Sequence, residues 1–200
     1  MQSYRFWDER FSAPDYVYGK EPNDFLVSIA GQLPTGRLLS LCEGEGRNGC
    51  FLASLGFDVT GIDGSAVGLE KARRLAGEKG VPIRTVLTDL EEFSIAPASW
   101  EVITSIFAHL PRELRRRIHR KAVEGLVPGG MFVLEGYTPR QLNFDTGGPK
   151  NPELLFELED LKQELAGLDF EIAQEIEREV VEGDKHTGRA AVVQILARKR

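Results

Sequence analysis

Short apolar runs alternate along this chain with longer segments whose apolar residues recur at helical spacing. Residues 22–33 open the pattern: Phe25, Leu26, Ile29 and Leu33 share one face of an expected amphipathic helix, which Pro34, Thr35 and Gly36 end. Strands are expected at 38–42, 58–62, 83–87, 101–106 and 131–136, and helices at 47–55, 65–79, 112–125 and 152–166. Two last strands, 169–180 and 189–198, are joined by residues 182–188, too few for a helical crossover, so they form an antiparallel hairpin. The alternation predicts an α/β fold with a mostly parallel sheet of about seven strands and helices on both faces. Residues 2–20 lack this rhythm but carry Tyr4, Phe6, Trp7, Phe11, Tyr16 and Tyr18. Such a segment must bury its rings or stay disordered. We expect a single domain, with 1–36 as an N-terminal cap or lid and 37–200 as the core.

A chain of 200 residues with 42% apolar content can bury one ordinary core. Its net charge of −6 argues against a general nucleic-acid binder. No apolar run is long enough to span a membrane and the first residues show no signal peptide, so a cytoplasmic location is expected. Cys42 and Cys50, with three histidines, suggest neither a disulfide framework nor a metal site; both cysteines read as small core residues.

Candidate chemistry concentrates after the first strand. Gly44, Gly46 and Gly49 stand in G-x-G-x-x-G spacing between strand and helix, and Asp63 closes the next strand 19 positions after Gly44. Glycines let the backbone turn tightly and a ligand come close, and an acid at a strand tip can accept from two ribose hydroxyls. Glu43 precedes the first glycine and Glu45 lies between the first two. Two carboxylates there would repel a pyrophosphate and suit a cofactor bearing an ammonium and a sulfonium, which points to S-adenosylmethionine.

With these residues the chain resembles the class I S-adenosylmethionine-dependent methyltransferases, a Rossmann-like family. Glu43 to Asn48 (E-G-E-G-R-N) resembles its first motif, VTGIDGS (59–65) its second, and TDLEEF (88–93) the acidic turn after the third strand. WEVITSIFAHLP (100–111) resembles the fourth strand and the segment below the methyl group, and LVPGGMFVLEGY (126–137) the turn and fifth strand. The opening residues and T-G-G-P-K (146–150) are similar to a small bacterial and cyanobacterial subgroup, related to tellurite-resistance and thiopurine methyltransferases.

The resemblance implies a cofactor site of Glu43, Gly44, Glu45, Gly46, Arg47, Asp63, Gly64, Ser65, Asp89, Leu90 and Ser105. Glu43 would accept from the methionine ammonium, Asp63 would hold the ribose, and Asp89 with Leu90 would flank the adenine. Arg47 would pair either the methionine carboxylate or a structural partner. Methyl transfer needs in-line approach, exclusion of water and sometimes a base. Candidate catalytic groups are His109 after the fourth strand, His186 in the last hairpin and Tyr137 at the end of the fifth strand, with Glu135 nearby. The 138–151 linker leaves the same edge of the sheet and is long enough to be functional. His119, among Arg115, Arg116, Arg117, Arg120 and Lys121, reads as part of a solvated helix face.

The expected acceptor is a small molecule, a thiol or a chalcogen compound among the soft nucleophiles; the protein is expected to be a monomer or weak dimer with no nucleic-acid partner. Two alternatives stay open. One is an NAD(P)-type oxidoreductase, because Tyr16 and Lys20 match Y-x-x-x-K, although upstream of the glycines. The other is a module that binds the cofactor without turnover.

Overall fold

The computed structural model describes residues 4–183 and 186–200; residues 1–3 of the expected cap and 184–185 of the hairpin turn lie outside the described residues. Seven strands form one sheet in the order β3-β2-β1-β4-β5-β7-β6. They are β1 (Arg37–Leu41), β2 (Asp58–Asp63), β3 (Arg84–Leu87), β4 (Trp100–Ile106), β5 (Leu126–Tyr137), β6 (Leu168–Glu182) and β7 (His186–Lys199). β1 to β5 run parallel, and β7 returns antiparallel between β5 and β6. The helices are α1 (Tyr4–Phe11), α2 (Asp24–Ile29), α3 (Arg47–Ser54), α4 (Ala66–Lys79), α5 (Arg112–Gly125) and α6 (Leu158–Glu164).

The central strands are apolar on both faces because helices cover both. Leu39, Leu41, Ile103, Phe132 and Leu134 pack with Ile118 of α5 and Leu161 of α6 on one face. Leu38, Val102, Met131 and Val133 pack with Leu26 and Ile29 of α2 and Leu52 of α3 on the other. β1 lies between β2 and β4, so the strand order reverses beside it and a crevice opens at the carboxyl ends of β1 and β4. The helix ends follow local chemistry. Ser65 caps α4 by accepting from Gly68 N–H, and Gly80 ends it at a left-handed φ of 66°.

Three expectations are corrected here. Residues 4–11 form α1, although no rhythm predicted it: Tyr4, Trp7, Asp8 and Phe11 line one helical face, and that face lies on the turns after β1 and β2. The helix expected at 152–166 is instead a 3-10 turn, Pro152–Leu154, followed by α6. Between them Leu155 and Phe156 enter the core extended, and Phe156 N–H donates to Tyr137 O at 2.9 Å. The basic run on α5 is not uniformly solvated either. Arg115 and His119 are buried and share Glu164 of α6, at 2.7 Å from Arg115 Nη2 and from His119 Nδ1. Burial works against the Glu164 charge, but these two partners outweigh it and hold its pKa at about 2.

Candidate active site

The turn after β1 is built around two acids. Asp63, at the tip of β2, accepts from Gly44 N–H on Oδ2 and from Ser65 N–H on Oδ1, both at 2.8 Å. It thereby fixes the glycine turn and the start of α4 together, and each oxygen keeps a lone pair for a further donor. Burial raises its pKa against these backbone hydrogen bonds. Glu43 folds back under the turn, where its Oε1 accepts from Gly49 N–H at 3.0 Å. A Cβ on Gly49 or Gly61 would lie 2.3 or 2.6 Å from the Glu43 side chain, so both glycines make room for it. Among the described residues its Oε2 is buried without a hydrogen-bond partner, and burial pushes its pKa up to about 7.

Glu45 departs from expectation. Its Oε1 accepts from Lys71 Nζ at 2.8 Å and its Oε2 from Tyr18 N–H at 3.3 Å, so its charge ties the N-terminal segment to α4 and does not face the crevice. Gly46 departs as well: at φ 91° its missing side chain faces α4, where a Cβ would sit 2.6 Å from Ala72 Cα. This glycine is needed for close helix packing. Arg47 forms the structural pair: its Nη2 donates to Glu182 Oε2 of β6 at 2.7 Å.

α1 lies across one end of the crevice. The Tyr4 ring rests on Gly64, where a Cβ would meet it at 1.9 Å. Burial and the neighbouring Asp89 carboxylate raise the pKa of its hydroxyl. Asp8 accepts from Ser65 Oγ at 2.6 Å and from Val67 N–H at 3.2 Å, and Phe11 packs on Gly44 and Gly68. Asp89 accepts from Glu91 N–H at 2.8 Å, Leu90 is buried in the sheet core, and Ser105 is buried in the ladder between Leu41 and Leu134.

The other end of the crevice is aromatic. Phe107 follows β4 at a left-handed φ of 52°, a strained conformation for a bulky residue. Its ring centroid lies 4.7 Å from those of Tyr137 and His186, and Tyr18 covers His186 at 4.5 Å. The linker folds over this cluster. Gln141 binds Thr146, Gly147 and Ala191, and a Cβ on Gly148 would lie 2.8 Å from the Tyr137 ring.

His109 is corrected as a candidate base. Both its nitrogens serve the backbone, Nδ1 with Leu154 O at 2.8 Å and Nε2 accepting from Tyr137 N–H at 3.3 Å. Its ring stacks between Tyr137 and Phe156, and burial drives its pKa down to about 3. Burial lowers the His186 pKa against the pull of Glu182, toward whose Oε2 its Nδ1 points at 3.7 Å.

Sequence reasoning missed Glu182, the hub of this end. Asn23 Nδ2 donates to its Oε1 at 2.8 Å, Arg47 to its Oε2, and Arg178 Nη2 stands 3.5 Å away. Burial opposes its charge, and the nearby His186, Arg47 and Asn23 outweigh that effect and hold its pKa at about 2. Glu135, fully buried, pairs with Arg178 at 2.7 Å.

A family profile described as a methyltransferase domain matches residues 38–130. The chain is 29% identical over 141 residues to an uncharacterized methyltransferase, YbaJ, of Bacillus subtilis, a span that covers 70% of this chain and 52% of that protein. The chain thus spans about half the length of this curated relative. Among solved structures, TehB from Haemophilus influenzae superposes with a TM-score of 0.73 at 23% identity, covering 89% of this chain and 62% of that one. A structure described under the conversion of a disulfide bond into a thioacetal group during echinomycin biosynthesis superposes with a TM-score of 0.77 at 17% identity, covering 98% of this chain and 88% of that one. At these identities the structural likeness establishes the fold.

Proposed function

We propose that this chain is a class I S-adenosylmethionine-dependent methyltransferase that transfers a methyl group from S-adenosylmethionine to a small-molecule acceptor, a reading supported by the methyltransferase-domain match over residues 38–130 and by the fold. The observation that carries the reading is the pair of acids at the glycine turn. Asp63 fixes the turn with lone pairs to spare, and Glu43 keeps one buried, unpaired oxygen that fits an ammonium. Bound there, the cofactor supplies a methyl group already activated by its sulfonium.

The chain's own residues then position and shield. Asp63 accepts from the ribose, Gly44, Gly64 and Ser65 line its path, and Asp89 and Leu90 border the adenine. Phe107, Tyr137 and Tyr18 exclude water from the transfer. His186, whose pKa burial lowers and whose Nδ1 lies 3.7 Å from Glu182 Oε2, is the group left to take an acceptor proton, since both nitrogens of His109 are engaged by the backbone. The acceptor is a soft nucleophile, a thiol or a chalcogen compound, and the protein works as a cytoplasmic monomer or weak dimer without a nucleic-acid partner. The net charge of −6 supports the last point, and no helix among the described residues is long and apolar enough to cross a membrane.

The oxidoreductase alternative loses its support. Tyr16 Oη donates to Lys71 O at 3.1 Å and Lys20 pairs with Glu78 at 2.5 Å, so these two side chains serve the surface of α4. Calorimetric titration tests the proposal: S-adenosylmethionine should bind and NAD should not. Asp63→Ala should weaken cofactor binding by about 1–3 kcal/mol, the range for lost hydrogen bonds to a charged group. Unchanged affinity in that variant would remove Asp63 from the site.

A further inference from the structure

Three cations beside the crevice are spent within the protein. Arg47 pairs with Glu182 at 2.7 Å, Lys71 with Glu45 at 2.8 Å and Arg178 with Glu135 at 2.7 Å. Arg10 of α1 is placed differently. Its Nη1 donates to the neutral Tyr18 Oη at 3.1 Å, and its guanidinium lies over the rings of Phe6 and Trp7, 4.8 and 5.8 Å from their centroids. Among the described residues these are its partners, and none of them is an anion. The Arg10–Tyr18 pair hangs on the glycine turn. Phe11, the next residue, packs 3.4 Å from where a Gly44 Cβ would stand, and Tyr18 donates its N–H to Glu45 Oε2 at 3.3 Å. Gly44 and Glu45 are the two residues after Glu43. Tyr18 also covers His186, with 4.5 Å between ring centroids. After burial and Arg47, Arg10 is a further cause of the lowered His186 pKa. Arg10 is thus tied to the turn on one side and to the aromatic end on the other.

The cofactor carries its ammonium and its carboxylate on one carbon. With the ammonium on Glu43, the carboxylate enters the crevice next to it. A carboxylate taken out of water needs charged or polar donors. Arg47 can supply them only by abandoning Glu182, which would strand a buried charge. Arg10 breaks no ion pair among the described residues to do so. A guanidinium keeps further N–H groups beside the one on Tyr18, and Tyr18 Oη, which accepts from Arg10, still has its own proton to give. These two donors stand 3.1 Å apart, so one carboxylate can accept from both. We propose that Arg10 and Tyr18 hold the methionine carboxylate of S-adenosylmethionine, which makes the N-terminal segment part of the cofactor site. The proposal rests on the methyl-transfer reading above. The bound carboxylate then fixes Tyr18 over His186, so the amino-acid end of the cofactor supports the wall beside the acceptor.

Three nucleosides separate this contact from general closure of the segment. S-adenosylhomocysteine carries the ammonium and the carboxylate, its decarboxylated amine carries the ammonium alone, and methylthioadenosine carries neither. Each is titrated by calorimetry into the parent and into Arg10→Gln, with the melting temperature as a check on folding. The parent should bind S-adenosylhomocysteine at least about tenfold more tightly than the amine, as expected for charge-assisted hydrogen bonds. Arg10→Gln should lose about tenfold or more in S-adenosylhomocysteine affinity and should not weaken the other two, because neither brings a carboxylate to Arg10. Equal loss for all three nucleosides would make Arg10 a structural part of the lid and overturn the proposal. An undiminished S-adenosylhomocysteine affinity in Arg10→Gln overturns it as well. So does equal binding of S-adenosylhomocysteine and the amine by the parent, a comparison that does not depend on the variant folding. If the parent binds none of the three, the methyl-transfer reading itself fails and the assignment falls with it.

Discussion

Replacing Glu43 by Gln separates what this acid costs the fold from what it gives the cofactor. Burial raises the Glu43 pKa from 4.5 to about 7, so the folded protein holds this proton more tightly than the unfolded chain does. Between these values the native state binds more protons, and stability falls as pH rises. The contribution is fully present below pH 4.5 and is lost by the time pH passes about 7. At about 1.4 kcal/mol for each tenfold change in proton affinity, the loss between pH 5 and pH 8 is roughly 2.5 kcal/mol. The buried histidines oppose this trend. His109 and His186 have lowered pKa values, so their contribution grows as pH rises toward the ordinary imidazole range. The informative quantity is therefore the difference between parent and Glu43→Gln, measured by urea unfolding at each pH, which cancels the histidines. That difference should move by roughly 2.5 kcal/mol in favour of the variant from pH 5 to pH 8. Cofactor binding should show the opposite preference: the parent should bind S-adenosylmethionine more tightly as pH rises through 7 and release a proton on binding near pH 6. Glu43→Gln should bind weakly at every pH. A stability difference flat across this range, or pH-independent binding in the parent, would refute a protonated Glu43 that ionises to meet an ammonium.

Gly46→Val should fail to fold stably, because its side chain would enter the Ala72 backbone at 2.6 Å from a φ of 91°; a melting temperature equal to the parent's would contradict this packing. Residues 4–20 should exchange amide hydrogens readily in the free protein and slowly with S-adenosylhomocysteine bound, as expected of a lid hinged beyond α1. Equal protection in both states would make this segment fixed core.

The parallel sheet was legible because its strands are short apolar runs between helices of the right length, and the antiparallel hairpin because residues 182–188 are too few to cross over. The places of Asp63 and Glu43 in the fold were legible because local geometry defines them: one ends a strand, the other precedes a turn. α1 escaped because its face of Tyr4, Trp7, Asp8 and Phe11 includes an acid and two partly polar rings, which blur the apolar period. The break before α6 escaped because Leu155 and Phe156 fit a helical stripe equally well; only the core beside Tyr137 pulls them straight. Glu45 was read as facing a ligand and Arg47 as pairing either a ligand or a structural partner; each is neutralised by a residue, Lys71 or Glu182, that no local pattern connects to it. His109 carried the wrong role because the carbonyl and the amide that claim its nitrogens come from residues 154 and 137.

The Glu182 hub also sets an order of events during synthesis. Its hydrogen bonds reach back 159 positions to Asn23 and 135 positions to Arg47. A ribosome emits Asn23 and Arg47 long before the carboxylate that will neutralise the guanidinium. Until β6 and β7 emerge, Arg47 has no Glu182 to meet and α3 cannot seat that charge in the interior without penalty. The central strands can pair earlier, but the cluster around Glu182 closes only with the β6–β7 hairpin, through contacts that span most of the chain. Such contacts carry a large loop-closure cost and slow the final step of folding. A nascent chain stalled before the hairpin would therefore hold its glycine turn while Arg47 and Asn23 still lack the carboxylate that pairs them.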